Sequence, residues 1–135
     1  MNNIRISKNF TLEEFTRTSA PYPNNLDYGF YKDNIFYGVE HILQPARDAI
    51  CAPITINSGY RSILVNAYVK GNRRSQHLTG CAADITCPPD KFKELVHVLS
   101  LNPCVYQLLT APTWCHVSWS PLRRPRNDIR LGYYS

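Results

Sequence analysis

Two histidines and one aspartate in this 135-residue chain have the residue types and spacing to hold a metal ion. The run Ser75-Gln76-His77-Leu78-Thr79-Gly80-Cys81-Ala82-Ala83-Asp84 carries one histidine and the aspartate, and Trp114-Cys115-His116-Val117-Ser118 carries the other histidine. Gly80, lying between His77 and Asp84, permits a sharp reversal into an extended Ala82-Ala83-Asp84-Ile85 segment. In the second run, strand alternation turns Trp114, His116 and Ser118 to one face. A lone histidine on a strand is more often a packing or surface group, so the constellation matters more than either histidine alone. Two imidazoles and a carboxylate, with the fourth position left to water, form the ligand set of a catalytic zinc site rather than a closed structural one. His77, Asp84 and His116 are therefore the candidate ligands, and Zn2+ is the expected cofactor.

Upstream, Ile54-Thr55-Ile56-Asn57-Ser58-Gly59-Tyr60-Arg61-Ser62 reads as a β-branched strand ending in a glycine turn that projects Arg61. A guanidinium is permanently charged and presents a planar fork of donors, suited to a carboxylate or a developing oxyanion. The same fork could instead tie a loop to backbone carbonyls. Ser58, Tyr60, Ser75 and Ser118 lie in these runs and are the candidate substrate-binding side chains, while Asn66 reads as a loop-fixing residue. The five cysteines are an odd number without a C-x-x-C pair, which argues for reduced thiols. Cys115 alternates out of phase with His116 and should face away from the metal.

The order Ser-Gly-Tyr-Arg, then Ser75 to Asp84, then Trp-x-His, resembles the zinc D,D-peptidases of the M15 family. The small D-Ala-D-Ala carboxypeptidase-like and phage endolysin-like members are the nearest in pattern. Phe10-Thr11-Leu12-Glu13-Glu14-Phe15 and Leu43-Gln44-Pro45-Ala46-Arg47-Asp48 are similar too, so the resemblance runs from about Asn9 to Trp119. It implies a hedgehog/D,D-peptidase-like fold with His77, Asp84 and His116 as zinc ligands. It implies Arg61 as the catalytic cation that binds and polarises the substrate. The implied substrate is a peptidoglycan stem-peptide bond, at a D-amino acid, in wall lysis or remodelling by a protein that phages also encode. Family members keep an acid/base residue, usually glutamate, three residues before the last zinc histidine. Here that position is Thr113. Asp90, Glu94 and His97 are left as candidates for the base, and the alternative is a zinc-dependent wall-binding relative without rapid turnover.

The elements that must position these residues follow from the pattern of the chain. Thr11 followed by Glu14 makes a capping box for a helix to about Thr18. Ile35, Phe36, Val39, Ile42, Leu43 and Ala46 recur at helical spacing, predicting a helix from Asp33 to Ile50 that Pro45 should kink or divide. Strands are expected at 54–57, 82–86, 105–109 and 114–119, the last two as an antiparallel hairpin, with helices at 62–69 and 90–100. The expected class is α+β: a small antiparallel sheet with helices packed on one face, in a single domain spanning 1–135 that ends in a basic tail over 122–135. Tyr133 and Tyr134 could pack that tail back onto the domain.

A hydrophobic content of 44% with 12% aromatics describes a globular chain. No apolar run approaches the roughly 20 residues that span a bilayer, so no membrane insertion is expected. Met1-Asn2-Asn3-Ile4-Arg5 lacks the apolar core of a signal peptide, which predicts cytoplasmic synthesis and action on the wall after release. The net charge of +5, with Arg123, Arg124, Arg126 and Arg130 clustered, suits an anionic wall. It would also suit nucleic acid, but no recognised nucleic-acid motif is present, so a monomer without a specific nucleic-acid partner is expected.

Overall fold

The apolar positions from Ile35 to Ile50 form one long helical run, and the rest of the chain is arranged around it. The computed structural model describes residues 3–26 and 28–134. The run begins earlier than the spacing predicted, at Gly29, and comprises α2 (Gly29–Gly38), a π-helical turn (Val39–Leu43) and α3 (Gln44–Ile50). Pro45 is the reason for the division. It lies in the first turn of α3, where its missing N–H costs little, and the wider π turn ahead of it is closed by the Gln44 N–H donating to the Val39 carbonyl. Ile35, Val39, Ile42, Leu43, Ala46 and Ile50 are all buried along one stripe.

The expected first helix shrinks to α1 (Glu13–Thr16). Half of the capping box is present, because the Thr11 N–H donates to Glu14 Oε1 at 2.9 Å. The chain becomes extended at Arg17, leaving Phe15 buried in the core. A two-stranded ribbon of β1 (Arg5–Ser7) and β2 (Phe10–Thr11) precedes it.

The main sheet contains β3 (Thr55–Ser58), β4 (Ala82–Thr86), β5 (Gln107–Thr110), β6 (Cys115–Ser118) and β7 (Asp128–Arg130), in the order β3-β4-β6-β5-β7. The pairs β3/β4, β4/β6 and β5/β6 are antiparallel as expected. β7 departs from the expectation by adding parallel to β5, within the stretch read from the sequence as tail. Asn127 takes a left-handed conformation (φ 50°) and bonds to the Val105 carbonyl, and the Asp128 N–H bonds to that of Tyr106, which starts the ladder. A three-residue strand is too short to show alternation, so the arginine-rich composition dominated the sequence signal.

Alternation divides the sheet into two working faces. Ile56, Ala83, Ile85, Leu108, Cys115 and Val117 join the core with the helical run and with Leu95 and Leu99 of α5 (Phe92–Leu101). Asp84 and His116 occupy the opposite face, and a register shift between Ile56 and Ser58 lets Ser58 pair with Asp84 there. Helix α4 (Ile63–Tyr68), capped by the Ser62 hydroxyl accepting from the Val65 N–H, packs beside the turn that delivers His77. The α+β class with a small sheet holds. No helix among the described residues is long and apolar enough to cross a membrane.

Candidate metal centre

Register brings two of the three ligands together. Asp84 pairs with His116 across β4 and β6, and Ser58 pairs with Asp84 from β3, so these three form a row across the sheet. His77 arrives from outside the sheet, on a 3-10 turn (Gln76–Thr79) capped by the Ser75 hydroxyl, which accepts from the His77 N–H at 3.1 Å. Gly80 ends that turn at φ 76°, and a Cβ there would meet the Tyr31 carbonyl oxygen at 2.6 Å. Gly80→Ala is therefore expected to destabilise the protein by about 2 kcal/mol or more, since left-handed backbone alone costs ~1–2 kcal/mol. An unchanged denaturant midpoint would show that the turn is not held this way.

His77 Nε2 lies 3.2 Å from Asp84 Oδ1, and His116 Nδ1 lies 3.0 Å from the same oxygen. One ligand atom from each residue falls within 4.8 Å of the others. A tetrahedron with bonds of ~2.0–2.1 Å has edges of about 3.3–3.4 Å, close to these separations.

The strongest sign of a metal site is the tautomer of His77. Its Nδ1 is 2.6 Å from the Gly59 carbonyl oxygen, which can only accept, so Nδ1 carries the proton. Burial pushes the His77 pKa down, against the pull of Asp84, and favours the neutral ring. Nε2 then presents a lone pair to a carboxylate oxygen. Two acceptors facing each other at 3.2 Å repel until a proton or a metal ion lies between them. A histidine whose second nitrogen is bonded to a backbone carbonyl, as here, has the usual support of a metal ligand. The donor set fits zinc.

Arg61 completes the frame. Its Nη2 bonds to Asp84 Oδ2 at 3.1 Å, its Nε to Ser58 Oγ at 3.0 Å, and its Nη1 to Asn66 Oδ1 at 3.2 Å. Asp84 thus gives one oxygen to the histidines and the other to the guanidinium. Burial raises the Asp84 pKa, but the two imidazole rings set on its Oδ1, His116 first, outweigh burial and hold the carboxyl well below the usual range. Asn66, read from the sequence as a loop-fixing residue, does that through Asn72 and also anchors Arg61. The Gly59 carbonyl is a site group that side-chain patterns do not reveal. Its only sequence signal is the glycine itself, where a Cβ would meet Phe15 Cα at 2.7 Å.

The other sequence candidates are spread around this frame. Ser58 and Tyr60 line a small cavity of about 170 Å³ with Arg61 and Arg17. Tyr60 is 3% exposed and also belongs to the core, with its ring 5.6 Å from that of Tyr31. Ser118 is fully buried, and its hydroxyl finds no protein partner among the described residues. Ser75 lines a separate cavity of about 450 Å³ with Arg74, Gln76, Tyr106 and Arg123, and none of the three ligands borders that space. Cys115 faces the core as its phase predicted, and burial pushes its thiol up to about 12, leaving it protonated. Cys81 is likewise raised by burial.

Among the described residues, no carboxylate replaces the missing glutamate. Thr113 is exposed in the β5–β6 turn, which the Ala111 N–H closes onto the Trp114 carbonyl. Asp90, Glu94 and His97 are exposed on α5 and the 3-10 turn leading into it, and Glu94 pairs with Lys91. Among the described residues, His77, Asp84 and His116 are the only cluster of His, Cys, Asp or Glu placed to hold a metal.

A His-Asp-His cluster on one face of an α+β sheet, braced by a partly buried arginine, is a type of site that metallohydrolases use. The family model for peptidase M15 matches residues 8–118, and the chain belongs to this family. M15 peptidases are hydrolases and are generally zinc-dependent, which agrees with the donor set. Comparison with curated proteins returns no match.

Proposed function

We propose that this metallopeptidase hydrolyses peptidoglycan stem peptides at a D-amino-acid bond, with His77, Asp84 and His116 holding one zinc ion and Arg61 serving the substrate. The observation that carries the reading is the convergence of His77, Asp84 and His116, with Nδ1 of His77 held by the Gly59 carbonyl and Nε2 turned to the Asp84 carboxylate, where a bound cation would sit between them. Zinc, when bound, supplies a Lewis acid for the scissile carbonyl and for water. The chain's own residues do the rest. Gly59 fixes the His77 tautomer, and Arg61 fixes one Asp84 oxygen so that the other is free for the ion. The guanidinium spends three of its five N–H donors on Ser58, Asn66 and Asp84, leaving two for a substrate carboxylate or carbonyl at the cavity it lines with Ser58. Arg17 borders the same cavity and adds a second positive charge. That charge suits the C-terminal carboxylate of a short wall peptide.

Among the described residues Asp84 is the only carboxylate at the ligands, which favours slow turnover. A general base contributes ~10²–10⁴-fold, and the position that supplies it in the family is Thr113 here. The test is release of amino groups from purified peptidoglycan and from acyl-D-Ala-D-Ala peptides, with activity lost to a chelator and regained with zinc. Thr113→Glu is expected to raise the rate about tenfold. Metal-dependent retention on wall fragments without any cleavage would identify a binding relative instead. Salt-sensitive, zinc-independent binding of DNA or RNA would contradict both readings.

A further inference from the structure

The last residues of the chain return to the metal face. After β7, Gly132 (φ 67°) reverses the backbone and donates its N–H to Thr110 Oγ1 at 2.7 Å, and the Tyr134 N–H bonds to the Thr110 carbonyl at 3.1 Å. These bonds lay the Tyr134 ring on Trp114, centroids 4.8 Å apart and planes 22° from parallel. Tyr133 packs edge-on against Tyr134 at 5.0 Å and lies beneath the Arg130 guanidinium, so the segment is held as a stack of side chains. Trp114 is two residues from His116, in the run whose alternation turns both toward the ligands. Tyr134 is only part-buried, and it lies beyond residues 8–118, where the family match ends.

The tail therefore brings a phenol to the Trp114 side of a site where, among the described residues, no second carboxylate stands beside the ligands. We infer that Tyr134 is a catalytic residue: its O–H donates a hydrogen bond to the carbonyl oxygen of the scissile peptide as negative charge builds there. The inference rests on the peptidase reading above. It moves no proton and forms no covalent bond; it stabilises charge with a donor carried on a ring that Trp114 and the Thr110 bonds hold in place. Burial raises the pKa of this phenol, the Asp84 charge raises it further and Arg61 opposes, so the group keeps its proton at neutral pH.

Tyr134→Phe keeps the ring on Trp114 and deletes only the donor. Zinc-loaded wild type and variant are compared for wall-peptide hydrolysis and, by calorimetry, for affinity toward a phosphinate dipeptide, a tetrahedral mimic of the hydrated peptide bond. The variant is expected to lose about 10- to 100-fold in kcat and a similar factor in phosphinate affinity, with KM, zinc content and the melting temperature of the metal-free protein unchanged. A lowered melting temperature with full kcat and full phosphinate affinity would assign the hydroxyl to the fold and overturn the inference. Equal kcat and equal phosphinate affinity in both proteins would overturn it while leaving the peptidase reading intact. A wild type that neither cleaves wall peptides nor binds the phosphinate would overturn both.

Discussion

Asp84→Asn is expected to remove zinc and activity together while leaving a chain that still folds. Asparagine keeps the shape of the side chain but carries no negative charge. The imidazoles lose the anion between them, and Arg61, whose side chain is 14% exposed, loses its counter-ion. Breaking a fully buried ion pair from one side costs ~3–5 kcal/mol, and the partly open cleft here reduces that to about 2–3 kcal/mol. The catalytic loss should be at least ~10³-fold, because Asp84 would be one of three residues holding zinc, and the ion would supply the Lewis acid for water and for the carbonyl. Equilibrium dialysis of zinc, hydrolysis rates and denaturant unfolding read the three effects separately. Retention of stoichiometric zinc by the variant would show that Asp84 pairs with the histidines as a structural carboxylate only.

Arg61→Lys is the second large effect, and the geometry makes it a mixed one. From the sequence, the choice lay between an arginine aimed at substrate and one tying down a loop. In the structure its planar fork joins Ser58, Asn66 and Asp84 at the same time, and a lysine ammonium cannot span all three. Support of a metal ligand from the outer shell is worth ~10–100-fold in metal affinity or activity, so a fall of that order in zinc affinity is expected. Leaving the Asn66 and Ser58 acceptors without their donor adds about 1–3 kcal/mol of instability. If Arg61 also contacts substrate, saturating zinc will not restore the wild-type kcat/KM. Full recovery of kcat/KM in excess zinc would confine Arg61 to positioning Asp84.

The grouping of the candidate metal ligands was legible because its parts obey short-range rules. Strand alternation around His116, a glycine reversal between His77 and Asp84, and a β-branched strand leading to Arg61 all appear as expected. Register was not legible, because nothing in β4 or β6 alone specifies that Asp84 lies opposite His116. That pairing follows from burial of Ala83, Ile85, Cys115 and Val117 on the helical side, where a one-residue slip would invert every side chain. Backbone groups escaped as well. Gly59 contributes a carbonyl, and a pattern of side chains has no symbol for it. The end of the chain was the largest gap, since a run of arginines and prolines gave no periodicity from which to infer β7 or the route of Tyr134 to Trp114.

The peptide chemistry depends on where the metal is held. Anomalous diffraction at the zinc absorption edge from crystals of the purified protein locates the ion directly. A single peak per chain is expected, within about 2.0–2.2 Å of His77 Nε2, of an Asp84 carboxylate oxygen and of a His116 ring nitrogen. A dominant peak at Cys51, Cys87 or the protein surface, with His77 Nε2 and Asp84 facing each other bare in zinc-containing buffer, would contradict the account.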